Sequence, residues 1–244
     1  MFRAALALAL LPFVVSAATV VVAVRGYISF GDNALTELSV RDVGRHAVEV
    51  GVFNRFGWHH PGPAVFYFLA PVYRALGSTS SALLIAALLL NAAAVVGIAL
   101  VARARGGTDF AVAALAVATI ASQALGPSFL RSPWTPNLIV LPFVLIVLLS
   151  WSVAEGDTAA LPWMAVAASF VVQAHLAPTP PIVVMLVAAL ALGARRLRSN
   201  GLRNPSMLRG RTYVTAGVLA IMWFPPFVDV ATHSGGNLRA VLDY

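Results

Sequence analysis

Long apolar runs constrain this chain more than any other feature. Stretches 4–24, 80–102, 109–125, 138–154, 159–177, 178–194 and 212–230 are almost free of charge. Each approaches the roughly 20 residues that a helix needs to cross the hydrocarbon core of a bilayer. Inside that core every backbone N–H and C=O must be satisfied internally, which leaves helices and closed barrels. These runs are continuous and rich in Ala, Leu and Val, without the period-two alternation of a barrel strand. The expected fold class is therefore all-α: a polytopic transmembrane helical bundle of about seven spans, read as one domain over residues 1–244. Composition agrees, since only 10% of the residues are charged against roughly 25% in soluble domains.

Charge then sets direction. All 16 basic residues are Arg. In a membrane protein such residues first report topology, because cytoplasmic loops are enriched in them. The connection 195–211 carries Arg195, Arg196, Arg198, Arg203, Arg209 and Arg211. Placing it in the cytoplasm, with Arg103 and Arg105, puts the N-terminus inside as well, provided that segment 64–77 does not span. That segment, AVFYFLAPVYRALG, is too short to cross and suits a helix lying at the outer surface. The expected location is the cell membrane, multi-pass, with a long first outer loop over 25–79 holding interfacial helices. Run 4–24 with Arg3 before it resembles a signal peptide, but it stays apolar through Val24 and is read as an uncleaved anchor. Pro178, Pro180 and Pro181 should separate the two runs they divide.

The net charge of +7 lacks the aromatic-interleaved basic stripe of a nucleic-acid binder, so nucleic acid is not an expected partner. The absence of Cys removes disulfides and thiolate metal sites. No P-loop, GxGxxG, HExxH or G-x-S-x-G string stands in a supporting context.

Ionisable groups gather instead in Gly31–Pro63, which holds Asp32, Glu37, Asp42 and Glu49 with His46, His59 and His60. In the expected topology Arg74, Arg131, Trp134, Gln173, His175, Asp229 and His233 join them on the outer face. Polar groups at membrane depth are costly and usually functional or paired. Asp32 sits just past the first span, where partial desolvation can make a carboxylate a competent base. Position alone favours a helix N-cap instead. Glu37 and Asp42 read as a solvated helix face. His60 precedes Pro and is pushed to an extended backbone, so His59 and His60 point in opposite directions and do not share a metal. Either could contact a phosphate or a sugar, or belong to a rigid turn. Arg131, in SFLRSPWTPN, suits a lipid phosphate as well as ordinary snorkelling. Asp229 is expected to pair with an Arg. No metal site and no cofactor are predicted, and a divalent metal is left open.

One arrangement resembles a known family. Gly31-Asp32-Asn33-Ala34 opens the outer loop, His60-Pro61-Gly62-Pro63-Ala64-Val65-Phe66-Tyr67-Phe68-Leu69 closes it, and Tyr73-Arg74-Ala75-Leu76-Gly77 precedes the next span. This resembles the GT-C superfamily of integral-membrane glycosyltransferases, in its protein mannosyltransferase and aminoarabinose transferase branch, and RFGWHHPGP resembles actinobacterial members. The resemblance covers the layout of most of the chain, while its specific motifs lie between 31 and 77. It implies transfer of a sugar from a polyprenyl-phosphate donor to an acceptor at the outer face of the membrane. Asp32 takes the place of the family's catalytic carboxylate, and His59, His60, Arg131 and Arg74 are candidate contacts to the lipid phosphate. Pro61-Gly62-Pro63 departs from the family's Pro-Pro pattern. The second outer loop has no carboxylate where many relatives carry one. Relatives usually have more spans, which leaves open that the chain is part of a longer protein. The rival classes are a lipid or solute transporter and a non-catalytic membrane protein; the spans offer few polar groups for a transport path.

Overall fold

The computed structural model describes residues 1–24, 26–199 and 205–243; Arg203, invoked above, lies outside them, as does residue 25 at the start of the first loop. Ten helices are formed among these residues: α1 Phe2–Ala23, α2 Asp32–Asp42, α3 Ala64–Ala75, α4 Ser80–Leu130, α5 Thr135–Leu138, α6 Val140–Ala154, α7 Ala160–Ala174, α8 Thr179–Ser199, α9 Pro205–Thr232 and α10 Gly236–Leu242. No strand is present among the described residues, only isolated bridges. Five helical stretches are long and apolar enough to cross a membrane: α1, α4, α5 with α6, α8 and α9. The all-helical, membrane-compatible architecture expected from the apolar runs is thus present.

The chain divides into two compact units, one of residues 1–48 and 65–142, the other of 49–64 and 143–244. In the first, α4 is the organising element. A continuous helix of its 51 residues would run about 76 Å, more than twice the hydrocarbon core of a bilayer. It does not continue straight. Gly107 adopts φ 73° and ψ −166°, a conformation essentially confined to glycine. Asn91 Nδ2 donates to the carbonyl of Leu130 at 2.9 Å, although 39 helical residues would separate them by about 58 Å. The element is therefore a hairpin of two helical arms, with a second break at Gly126 (φ 81°, ψ 167°) setting off its last few residues. Its neighbour Gly106 has no room for a side chain, since a Cβ there would lie 2.5 Å from Phe110. Ala9 and Phe13 of α1 pack with Leu88, Val95, Ala99, Leu115 and Leu130 of both arms in one buried core.

This unit has two distinct ends. At one, the Arg103 guanidinium stacks on Phe2 at the start of α1. At the other, Ser81 donates to the Val24 carbonyl and Ser29 N–H to Ser80, fastening the connection after α1 to the start of α4. A helix of 22 residues separates them by about 33 Å. Helix α3 has only 12 residues, about 18 Å, too short to span. Val65, Phe66, Leu69, Ala70 and Tyr73 are buried while Tyr67 and Phe68 are exposed, the one-sided pattern of a helix on a surface.

In the second unit α7 packs mainly on α9. Gly193 of α8 lies so close to the Val153 carbonyl that no Cβ would fit. At the N-terminal end of α7, Arg196 pairs with Glu155 and Arg211 donates to Thr158 at 2.6 Å. The basic connection expected over 195–211 is shorter than its composition suggests. Residues 195–199 prolong α8 and 205–211 begin α9, while 200–204 lie outside the described residues. Arg196 and Arg198 occupy the last turn of α8, where cations complement the helix dipole.

Candidate functional site

Asp32 is the first residue of α2, and Gly31, not Asp32, is the N-cap. Gly31 takes φ 55°, which lets the chain turn from the loop into the helix. The carboxylate makes no cap hydrogen bond; its Oδ2 accepts from the indole Nε1–H of Trp134 at 3.1 Å. The first and second outer loops of the sequence reading are thereby joined through an exposed acid. The negative charge also suits the positive end of the helix. Arg131 is half-buried three residues before Trp134, at the C-cap of α4. Arg74 is exposed, its guanidinium alongside the backbone of Gly44.

What holds Asp32 in place is a group that the sequence reading assigned to a solvated face. Glu37 is buried, and its Oε2 accepts from Ser80 at 2.6 Å. The Tyr73 hydroxyl lies 2.9 Å from both Glu37 Oε1 and the Ser78 carbonyl, so its one proton serves either. Arg41 Nη2 lies 3.6 Å from the same carboxylate and 3.4 Å from the Tyr73 hydroxyl. Burial alone would raise the Glu37 pKa; the hydrogen bonds, led by that from Ser80, and the Arg41 charge outweigh it and hold the group below its ordinary range. A charged Glu37 thus ties α2 to α3 and α4. Asp42, by contrast, is on the solvated face as expected and faces His46 at 3.0 Å.

The two adjacent histidines belong to the other unit. Segment 51–60 doubles back on itself: Gly51 N–H donates to His60 O, His60 N–H to Val52 O, and Asn54 N–H to Trp58 O. His59 and His60 diverge, as the extended backbone requires. His59 Nδ1 lies 2.9 Å from the Gly51 carbonyl and must donate to it, leaving Nε2 as an acceptor. His60 is buried against Trp58, with Leu176 N–H donating to its Nδ1 and Nε2 3.1 Å from His175 Nδ1. That order places the His60 proton on Nε2, from which it reaches His175. Burial first, then His175 and His59, push the His60 pKa down to about 4.

Gly62 explains the spacing of the Pro-Gly-Pro turn. A Cβ there would overlap the Gln173 side chain. Gln173 is fully buried, accepts from Ala64 N–H at 3.2 Å and donates to the Met222 carbonyl at 2.8 Å, clamping the turn to α7 and α9.

A second cluster in this unit was not assembled by the sequence reading. Asn237 grips the backbone of His59 with two hydrogen bonds of 2.7 Å, N–H to its Oδ1 and Nδ2 to the carbonyl. Its own N–H donates to Asp229 Oδ2 at 2.7 Å. Asp229 pairs with no Arg among the described residues; it faces His233, and Glu49 does likewise. The i,i+4 spacing of Asp229, in the last turn of α9, and His233, just past its end, was the available signal, but nothing local pointed to Glu49.

No family model, curated protein or solved structure matches the chain.

Proposed function

We propose that the chain is a membrane glycosyltransferase of the GT-C type, moving a sugar from a polyprenyl-phosphate donor to an acceptor at the extracytoplasmic face. The observation that carries this reading is the Asp32 carboxylate. It is exposed, relieved of capping, and oriented by the Trp134 indole. Asp32 acts as general base on the acceptor hydroxyl, and positive charge from Arg131 and Arg74 meets the departing lipid phosphate. One base without a covalent intermediate gives inversion at the anomeric carbon. His59 and His60 are proposed ligand contacts on the second unit. His59 has the freer ring, because both nitrogens of His60 are within hydrogen-bonding reach of other groups. The reading takes seven spans: α1, the two arms of α4, α5 with α6, α7, α8 and α9, with the N-terminus cytoplasmic. The hairpin at Gly107 supports counting α4 twice; the 12-residue length of α3 supports leaving it at the surface, whereas α7, with 15 helical residues, is counted because the apolar run 159–177 continues past its ends.

The test is Asp32→Asn in the full chain, assayed by release of polyprenyl phosphate from a polyprenyl-phosphate hexose in membranes. The amide still accepts from Trp134 but cannot take the acceptor's proton. Transfer should fall by about 10²–10⁴-fold with unchanged expression. Undiminished transfer removes the assignment.

A further inference from the structure

Within the second unit, three potential metal donors from two distant parts of the sequence converge. His233 Nδ1 lies 3.4 Å from Asp229 Oδ1 and 3.7 Å from Glu49 Oε2, and one ligand atom of each residue falls within 4.8 Å of the others. From this geometry we infer that Glu49, Asp229 and His233 form a binding site for a divalent transition-metal cation. Four-coordinate bonds of about 2.1 Å place ligand atoms about 3.4 Å apart, so the spacing matches a shared centre.

The surroundings favour a cation over an empty cluster. Asp229 is buried, and two carboxylates brought together in a partly buried place repel unless positive charge lies between them. Among the described residues no Arg supplies it; His233 is the only ionic partner of both. Asp229 is also held as metal-bound carboxylates commonly are, with one oxygen fixed by an outer hydrogen bond. The Asn237 N–H occupies Oδ2, leaving Oδ1 turned to the centre. Gly236 approaches Asp229 so closely that any side chain there would collide.

The donor set of two carboxylate oxygens and one imidazole nitrogen suits Zn²⁺ or Mn²⁺, with water completing the shell. Ca²⁺ asks for more oxygens, and Mg²⁺ usually keeps most of its own water. The competing occupant is a proton on Nδ1, which also lies 2.9 Å from Thr232 Oγ1; the metal displaces that proton. Because Glu49 precedes the His59–His60 segment and Asp229 holds the residue that grips it, the cation would fasten that segment to the corner between α9 and α10. None of this depends on sugar transfer.

The experiment uses the full, tag-free chain in detergent, stripped with chelator and titrated with ZnCl₂, MnCl₂ and, as a control, CaCl₂. Metal content after desalting and thermal unfolding are measured together. About one Zn²⁺ or Mn²⁺ per chain is expected, with a raised melting temperature and no comparable response to Ca²⁺. Glu49→Gln and His233→Gln should each weaken uptake tenfold or more. His233 is exposed, and melting of the metal-free variants at the wild-type temperature shows that they still fold. No uptake by the wild-type chain at millimolar metal, or unchanged uptake in the double variant, overturns the site.

Discussion

His60 is a buried titratable side chain. Its pKa of about 4 lies below the roughly 6.5 of an unfolded histidine. The unfolded chain therefore binds more protons between those values, and stability must fall as the medium is acidified from about pH 6.5 toward 4. The size is on the order of 3 kcal/mol, because each unit is about 1.4 kcal/mol. Glu37 acts in the same direction, since a carboxylate held below its ordinary range loses its stabilising charge as acid protonates it. Replacing His60 with Phe should flatten the acid limb of a melting-temperature profile between pH 6.5 and 4, at some cost in packing and in the bond to His175. An unchanged acid limb would mean that another group dominates.

At the scale of elements, α4 makes the sharpest demand on its sequence. Gly107→Ala places a Cβ in a conformation that L-residues avoid, which costs about 1–3 kcal/mol. The variant should melt lower than wild type in matched detergent, while Gly217→Ala, in open space with no positive φ, should not. The two arms of α4 were legible as separate apolar runs, 80–102 and 109–125, because composition alone reports how much chain a bilayer holds. The extent of α2 was less legible: position alone made Asp32 its cap, whereas the structure makes Asp32 its first residue and ends it at Asp42. The buried role of Glu37 was hidden altogether. Its partners Tyr73 and Ser80 lie 36 and 43 residues away, and no local pattern encodes them. Asp229 faces His233, four residues on, and not an Arg; only Glu49, which joins them from a distant segment, is hidden in the same way as the partners of Glu37.

For the whole molecule, the decisive question is which side each end faces. In the second unit Glu155, Thr158, Arg196 and Arg211 gather at one end of α7, while Gln173 and His175 stand at the other. Arg-rich ends belong in the cytoplasm, which would turn the histidines outward. A chain without Cys is suited to mapping this. Arg55→Cys should react with a membrane-impermeant maleimide in intact cells, and Ser206→Cys only after permeabilisation. The opposite pattern would leave Asp32 facing the cytoplasm and the sugar-transfer reading without a site.

Asn237 binds a backbone 178 positions before it. Ribosomes add roughly 5–20 residues each second, so the His59 segment waits about 10–35 s for its clasp while helices enter the membrane. The second unit's polar corner is thus among the last parts of the described chain to be completed in the cell, and polypeptides released early would carry the histidines without the arrangement that orients them.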